Sequence, residues 1–237
     1  IISKSGETLE TLTNFNIVLN NFKKRKKNIS KNFIIISEKN SVLFNFAREN
    51  NILFYEHNAN LSGRYSVLSE VGLLMFNLDY KKIIQGINSV LKKNLKKNLI
   101  SNAANLLTLI TKSKIDTHVS LIYSHSLLSY GYWHQQLLAE SIGKNGKDFT
   151  PIISECPKDH HSIMQLYLDG KRNKFFTFFK IINNKKDLPI KDYFDQKFKK
   201  SSLNNIIDAQ FNATINVFKK NLIPFRVILI DQKKPIQ

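Results

Sequence analysis

A chain of 237 residues that is 42 % hydrophobic can bury a sizeable core, which excludes a disordered polymer. No apolar run approaches the ~18 residues of a membrane span, and the single cysteine, Cys156, excludes an internal disulfide. Lysine and arginine number 36 against 18 acidic residues, a formal +18 that would favour polyanions. The cations are nevertheless dispersed, apart from Lys23-Lys24-Arg25-Lys26-Lys27, and no nucleic-acid motif accompanies them. The expectation is therefore a solvated basic surface, with no nucleic acid and no membrane as partner. Lys4, Glu7 and Glu10 interrupt any secretory h-region, and one thiol suits a reducing compartment, so the expected location is cytoplasmic.

In chain order, Ile1-Ile2 read as the tail of a strand. Leu9, Leu12, Phe15 and Leu19 then share a helical face that ends at the basic run, where cations suit the helix C-terminus. "NFIIISEKN" (32–40) reads as a strand, 42–50 as a helix, "NILFYEHN" (51–58) as a strand and "SGRYSVLSEVGLLM" (62–75) as the start of another helix. A charged helical stretch over 78–98 has no strand signal, and the domain change is placed there. A second strand–helix series follows: strand from 116, helix 129–143, strand 149–155, helix 160–170, strand 173–182, helix around 200–220, strand 224–230. This alternation predicts an α/β fold of parallel sheets flanked by helices. Both ends look cut, because the first sheet lacks opening strands and the second lacks a closing helix.

Between the opening strand and its helix lies Ser3-Lys4-Ser5-Gly6-Glu7-Thr8. Unpaired N–H groups and the dipole at a helix N-terminus favour an anion, and three hydroxyls with one lysine add donors. Ser5 or Thr8 could alternatively be a simple N-cap. A cap accounts for one hydroxyl, not for three together with a lysine and a glycine.

"SKSGETLET" resembles the phosphosugar-binding loop of sugar-isomerase (SIS) domains. Three further segments, in matching order, are similar to the glucose-6-phosphate isomerase family: "SGRYSVLSEVGLL" (62–74), "YGYWHQQLLAESIGK" (130–144) and "PKDHHSIMQLYLDG" (157–170). The resemblance implies two SIS-type domains, the first partial: its C-terminal half at 1–77, and a second domain at 78–237. It also implies a parent protein roughly twice this length. The implied reaction is interconversion of glucose 6-phosphate and fructose 6-phosphate through a cis-enediol(ate), in glycolysis and gluconeogenesis, with no cofactor and no metal.

Carried over residue by residue, the resemblance gives Ser3, Lys4, Ser5 and Thr8 to the phosphate. Arg64 faces the enediolate, with Gly63 expected to let the backbone turn tightly before it. Gln136 contacts a substrate hydroxyl, Glu140 shuttles the proton, and the two are spaced to share a helix face. Without the motif, Glu140 reads as an exposed helix glutamate and Arg64 as a solvated loop arginine. His161 becomes the ring-opening histidine; in the family it reaches the substrate from the neighbouring subunit, which implies a homodimer with a shared active site. Departures are Ser62 for a glycine, His160 for a glutamine, and Cys156-Pro157-Lys158-Asp159 for a more glycine-rich approach. Nothing after Pro224 resembles the family's C-terminal Gln-x-x-Val-Glu-x-x-Lys segment, and neither Lys233 nor Lys234 is assigned its lysine's role.

Several patterns are set aside. "GKNGK" (143–147) lacks Walker spacing, and the six histidines with Cys156 lack metal-ligand spacing. Phe175, Phe176, Phe178 and Phe179 read as sheet core, and Tyr130, Trp133 and Leu137 as the core stripe of an amphipathic helix. Two rival functions stay open: a broader phosphosugar isomerase that also takes mannose 6-phosphate, and a non-enzymatic phosphosugar-binding regulator. A regulator needs the phosphate loop but not Glu140, Arg64 and His161.

Overall fold

The structure, a computed structural model, describes residues 1–74, 80–144, 146, 149–182, 187–191 and 201–231. The expected domain boundary at 77/78, the end of the 62–75 helix, part of the 143–147 segment, and Lys233 and Lys234 lie outside the described residues. The chain forms two compact units, Ile1–Leu95 and Lys96–Gln237.

The first unit pairs β1 (Ile34–Ser37) in parallel with β2 (Leu53–Glu56), with Ile34 opposite Leu53. Ile1–Ser3 runs along the other edge of β1: Ile36 N–H donates to the Ile1 carbonyl at 2.8 Å and Ser3 N–H to that of Ile36 at 3.1 Å. The opening residues thus extend the sheet. Helices α1 (Leu9–Lys24) and α2 (Val42–Glu49) enclose a core of Phe15, Leu19, Phe33, Ile35, Leu43, Ala47 and Ile52. Phe15 meets the rings of Phe33 and Phe46 edge-on at 5.4 Å each. Leu9, expected on the buried face, is 74 % exposed, because the contact face starts one turn later at Leu12.

The 62–75 helix is not continuous. Gly63–Leu68 is a 3₁₀ turn and Glu70–Leu73 a one-turn α3. Ser69 breaks the run: its hydroxyl donates to the Ser66 carbonyl at 2.7 Å and accepts from Val71 N–H at 3.3 Å. Such local side-chain bonds compete with the helix ladder. The charged stretch also departs from expectation, forming α4 (Tyr80–Val90) and then α5 (Lys93–Lys112), fourteen residues past the expected end at 98.

In the second unit the strands β3 (Thr117–Ile122), β4 (Thr150–Glu155), β5 (Lys174–Ile182) and β6 (Phe225–Asp231) form one parallel sheet in the order β4-β3-β5-β6. Phe175 to Lys180 are buried without interruption, as in a central parallel strand covered on both faces. On one face Phe176 and Phe178 pack with Val119, Leu121, Phe218 and Phe211, the last two from α8 (Leu203–Lys220). A capping box starts α8, with Ser202 and Asn205 exchanging side-chain-to-backbone bonds.

The opposite face carries α6 (Leu128–Ile142). Gly131, His134 and Gln135 face the sheet; of the expected stripe, Tyr130 meets the Phe179 ring of β5 edge-on at 5.5 Å, and Trp133 and Leu137 are half-buried. A Cβ on Gly131 would lie 3.3 Å from Ile122 Cδ1, and Gln135 Nε2 donates to the Pro151 carbonyl at 2.9 Å. The glycine lets the helix approach the sheet closely. Similarly, the expected 160–170 helix begins only at α7 (Met164–Asp169), after a 3₁₀ turn at Lys158–His160.

Between α6 and the sheet, burial keeps two histidines neutral, His118 of β3 and His134 of α6 itself. Burial, then His134 and Arg226, push His118 down to about 3; burial, then Arg226, push His134 down to about 4. His118 Nε2 lies 2.7 Å from Thr177 Oγ1, which accepts from Arg226 Nε at 2.9 Å. The unfolded chain takes up protons from near 6.5 downward and the folded one does not, so this contribution is complete above 6.5 and is lost as pH falls. The urea midpoint is expected to drop between about pH 7 and about pH 5, and the His118→Gln/His134→Gln double variant to drop less over the same window. Parallel wild-type and variant curves would contradict this account.

Candidate functional site

In the first unit the predicted phosphate residues occupy one turn, between the extension of the sheet and α1. Gly6 turns it at φ +70, with its N–H donating to the Ser3 carbonyl at 3.2 Å. Ser3 Oγ and Thr8 Oγ1 lie 2.9 Å apart, and Ser5 Oγ accepts from Glu7 N–H at 3.2 Å. Thr8 stands at the N-cap position of α1, yet its hydroxyl turns to Ser3 and not to the helix. The plain capping alternative therefore does not describe this loop.

Lys4 Nζ donates to the Ala59 carbonyl at 2.8 Å and lies 3.6 Å from Glu38 Oε1. It ties the loop to the segment that leads into Arg64. Arg64 is half-buried at the start of the 3₁₀ turn, its Cζ 4.8 Å from the Tyr65 ring centre. The expected role of Gly63 is not met: no atom lies within 4 Å of a Cβ built there, and its φ is an ordinary one.

In the second unit Gln136 and Glu140 share one exposed face of α6, and Gln136 Nε2 donates to Glu140 Oε1 at 2.8 Å. The i,i+4 spacing thus delivers the expected contact. His161 is exposed at the end of the Lys158–His160 turn. Its neighbour His160 meets the Tyr123 hydroxyl at 2.7 Å. Glu155 accepts from Lys158 Nζ at 2.9 Å and lies 2.8 Å from His125 Nδ1; the Lys158 bond, then the His125 bond, hold its carboxyl below the usual range. Among the described residues no group of three or more His, Cys, Asp or Glu could hold a metal ion. No described helix is long and apolar enough to cross a membrane.

A sequence model of phosphoglucose isomerase matches residues 1–214. The chain belongs to the phosphoglucose isomerase family. It is 36 % identical over 231 residues to a probable glucose-6-phosphate isomerase of Methanococcus maripaludis, covering 94 % of this chain and 52 % of that protein. It is 34 % identical over 243 residues to the glucose-6-phosphate isomerase of Methanocaldococcus jannaschii, covering 98 % and 59 %. Among solved structures it is similar in fold to a hypothetical protein from Thermus thermophilus, with TM-score 0.84, 24 % identity and coverage of 96 % of this chain and 59 % of that one. A glucose-6-phosphate isomerase from Chlamydia trachomatis gives TM-score 0.75, 18 % identity and coverage of 97 % and 49 %. The chain spans between 52 % and 59 % of the length of the two archaeal relatives.

Two residues missed in the sequence shape the loop of this phosphoglucose isomerase family member. Ser37, at the end of β1, bonds Ser41 at 2.9 Å and donates to the Lys4 carbonyl at 3.3 Å. A Cβ on Gly6 would lie 2.5 Å from Ser41 Cβ and 2.8 Å from Ser37 Oγ. The available signal was position: polar residues at the carboxyl end of a parallel strand face the ligand side of such sheets. Gly6→Ala meets both a positive φ and this wall, so it is expected to cost about 1–3 kcal/mol in urea unfolding. Gly63→Ala, in open space, should stay within about 0.5 kcal/mol of the parent. Equal midpoints for the two variants would refute the packing account.

Proposed function

We propose that the protein containing this chain is a glucose-6-phosphate isomerase, interconverting glucose 6-phosphate and fructose 6-phosphate. The observation that carries the reading is that the family match over residues 1–214 contains every candidate residue, from Ser3 to His161. In this reading residues 1–77 are the later half of one SIS domain and 78–237 belong to a second. The working protein is a cytoplasmic homodimer of glycolysis and gluconeogenesis, with His161 supplied across the subunit contact.

The phosphate is held by Ser3, Lys4, Ser5 and Thr8 at the N-terminus of α1, where N–H groups and dipole favour an anion. His161 delivers a proton to the ring oxygen as the C1 hydroxyl loses one, which opens the pyranose. Glu140 removes the proton from C2 of the open aldehyde. The C2–H electron pair forms the C1–C2 double bond, and the carbonyl pair moves onto O1. The Arg64 guanidinium stabilises that enediolate oxygen. The O2 hydroxyl proton passes to O1; the O2 pair then forms the C2 carbonyl as the C1–C2 double-bond pair takes the proton that Glu140 returns to C1. Gln136 contacts a sugar hydroxyl and, through its bond to Glu140 Oε1, sets the carboxylate's orientation. Side chains supply both proton transfer and oxyanion partner, so the route calls for no metal or nucleotide.

The test is a coupled assay of fructose 6-phosphate conversion by the full-length protein, beside its Glu140→Gln variant. The variant keeps shape and hydrogen bonding but removes the base, so kcat is expected to fall about 10²–10⁴-fold with sugar-phosphate binding retained. Undiminished turnover in the variant would remove Glu140 from the mechanism. Binding without turnover in the parent protein would leave a phosphosugar-binding module.

A further inference from the structure

His161 itself projects into solvent, but the residues on both sides of it are anchored. On one side, the buried Tyr123 follows β3, 2 % exposed, stacked on Phe178 at 6.0 Å and meeting Phe211 edge-on at 5.0 Å. Its backbone N–H donates to the Phe179 carbonyl at 2.9 Å, and its hydroxyl lies 2.7 Å from His160 Nε2. Burial, with Cys156 alongside, raises the Tyr123 hydroxyl well above its usual range. Burial, then the Asp159 carboxylate, pushes the Cys156 thiol up to about 12. Burial, with His161 adding, lowers His160. Both groups are therefore neutral at physiological pH, where a Tyr123 O–H can donate to the Nε2 lone pair of His160.

On the other side, Asp159 Oδ2 accepts from Glu155 N–H at 2.8 Å, and Asp159 Oδ1 accepts from Ser162 Oγ at 3.2 Å. Ile163 N–H donates to the Asp159 carbonyl at 3.1 Å and His161 N–H to that of Lys158 at 3.2 Å. The chain thus enters the turn from the end of β4, is pinned at 159, 160 and 162, and leaves residue 161 with only its side chain to move.

We infer that Tyr123, acting through His160, and Asp159, acting through Ser162 and the Glu155 amide, are positioning residues for His161. The inference rests on the isomerase reading above and adds residues to which that reading gives no part. A hydrogen bond from a core tyrosine to a loop of this kind fixes direction, not affinity: it sets where the imidazole can stand when a ring oxygen needs a proton. Misplacing a reacting group costs rate while leaving binding intact. His160 suits the task because its ring reaches the Tyr123 hydroxyl through Nε2, and a glutamine amide can make the same bond.

The test uses the full-length protein and four variants assayed on fructose 6-phosphate: Tyr123→Phe, His160→Gln, Asp159→Asn and His161→Ala. Tyr123→Phe keeps the ring stack and loses only the hydroxyl, and is expected to lower kcat about tenfold with KM within about twofold. Asp159→Asn should do the same, and serves if the buried variant folds poorly. His160→Gln should retain parental kcat. The deciding readout is the double variant Tyr123→Phe/His161→Ala. A residue that works only through His161 adds nothing once His161 is gone, so its kcat should equal that of His161→Ala alone. Multiplying losses in that cycle, or parental kcat in both Tyr123→Phe and Asp159→Asn while His161→Ala is impaired, would overturn the inference alone. Parental kcat in His161→Ala would overturn the ring-opening assignment beneath it as well, and so separates the two failures.

Discussion

Every pairing between the six described strands is parallel, and that constraint decides where most of the candidate chemistry can lie. A parallel strand cannot turn back directly; it needs a crossover, here helical, so all carboxyl ends in a sheet face one edge. In the first unit that edge carries Lys4, Glu38 and His57, and the ladder continues into it: Glu38 N–H donates to the Lys4 carbonyl at 2.9 Å and His57 N–H to that of Ser37 at 2.8 Å. In the second unit Tyr123 and Cys156 extend β3 and β4 in the same way, through bonds to the Phe179 and Ile122 carbonyls. The candidate phosphate loop and the approach to His161 are continuations of the hydrogen-bonded sheet. Glu140 is the exception. It lies in the last two turns of α6, a helix that is tied through Gln135 to Pro151 near the start of β4. Topology alone would not have selected it.

The energetics divide unevenly between core and surface. Truncating one of the fully buried β5 phenylalanines, Phe178 or Phe179, would cost about 3–5 kcal/mol. An exposed ion pair such as Lys39–Glu56 contributes about 0–1 kcal/mol. The +18 charge can thus be spread over the surface at little cost, and it says little about partners. Several buried polar groups inside the second unit are matched: Ser154 bonds Tyr167 at 2.6 Å, Thr177 joins His118 and Arg226, and the 7 % exposed Lys180 pairs with Asp208 beside the Phe211 ring, whereas His118 Nδ1, His134 Nδ1 and Gln210 Oε1 have no hydrogen-bond partner among the described residues. Breaking any of the matched pairs would carry a penalty of about 1–3 kcal/mol.

Strands were legible in the sequence because Ile34–Ile36 is continuous, apolar and bounded, and Phe175–Phe179 is apolar but for Thr177. The helices that failed did so for side-chain reasons that periodicity does not register. Ser69 offers the backbone a competing partner, and the α1 contact face starts at Leu12 and leaves Leu9 in water. Among the candidate residues, the Gln136–Glu140 contact was legible because i,i+4 geometry is local. Ser37 and Ser41 were not, because their contacts with Lys4 and Gly6 join segments more than thirty residues apart.

The ties on Lys4 bear on how such a loop can be rigid and still bind. Its ammonium is held by a neutral carbonyl and by a carboxylate 3.6 Å away, with the Lys4 and Glu38 side chains each about a third exposed. Exposed pairs of that kind contribute about 0–1 kcal/mol, whereas charge-assisted bonds are roughly twice as strong as neutral ones, and a phosphate offers several acceptors at once. Ammonium has three donors, so the Ala59 bond can persist while a ligand takes the others. Under the proposed function Glu38 then acts as a placeholder: it holds the lysine in register when no ligand is bound and yields to a dianion at small cost. The same logic explains the Ser3–Thr8 contact, in which two hydroxyls satisfy each other and either can rotate outward. The loop is ordered by bonds weak enough to exchange, on a backbone against which Ser37 and Ser41 pack closely at Gly6.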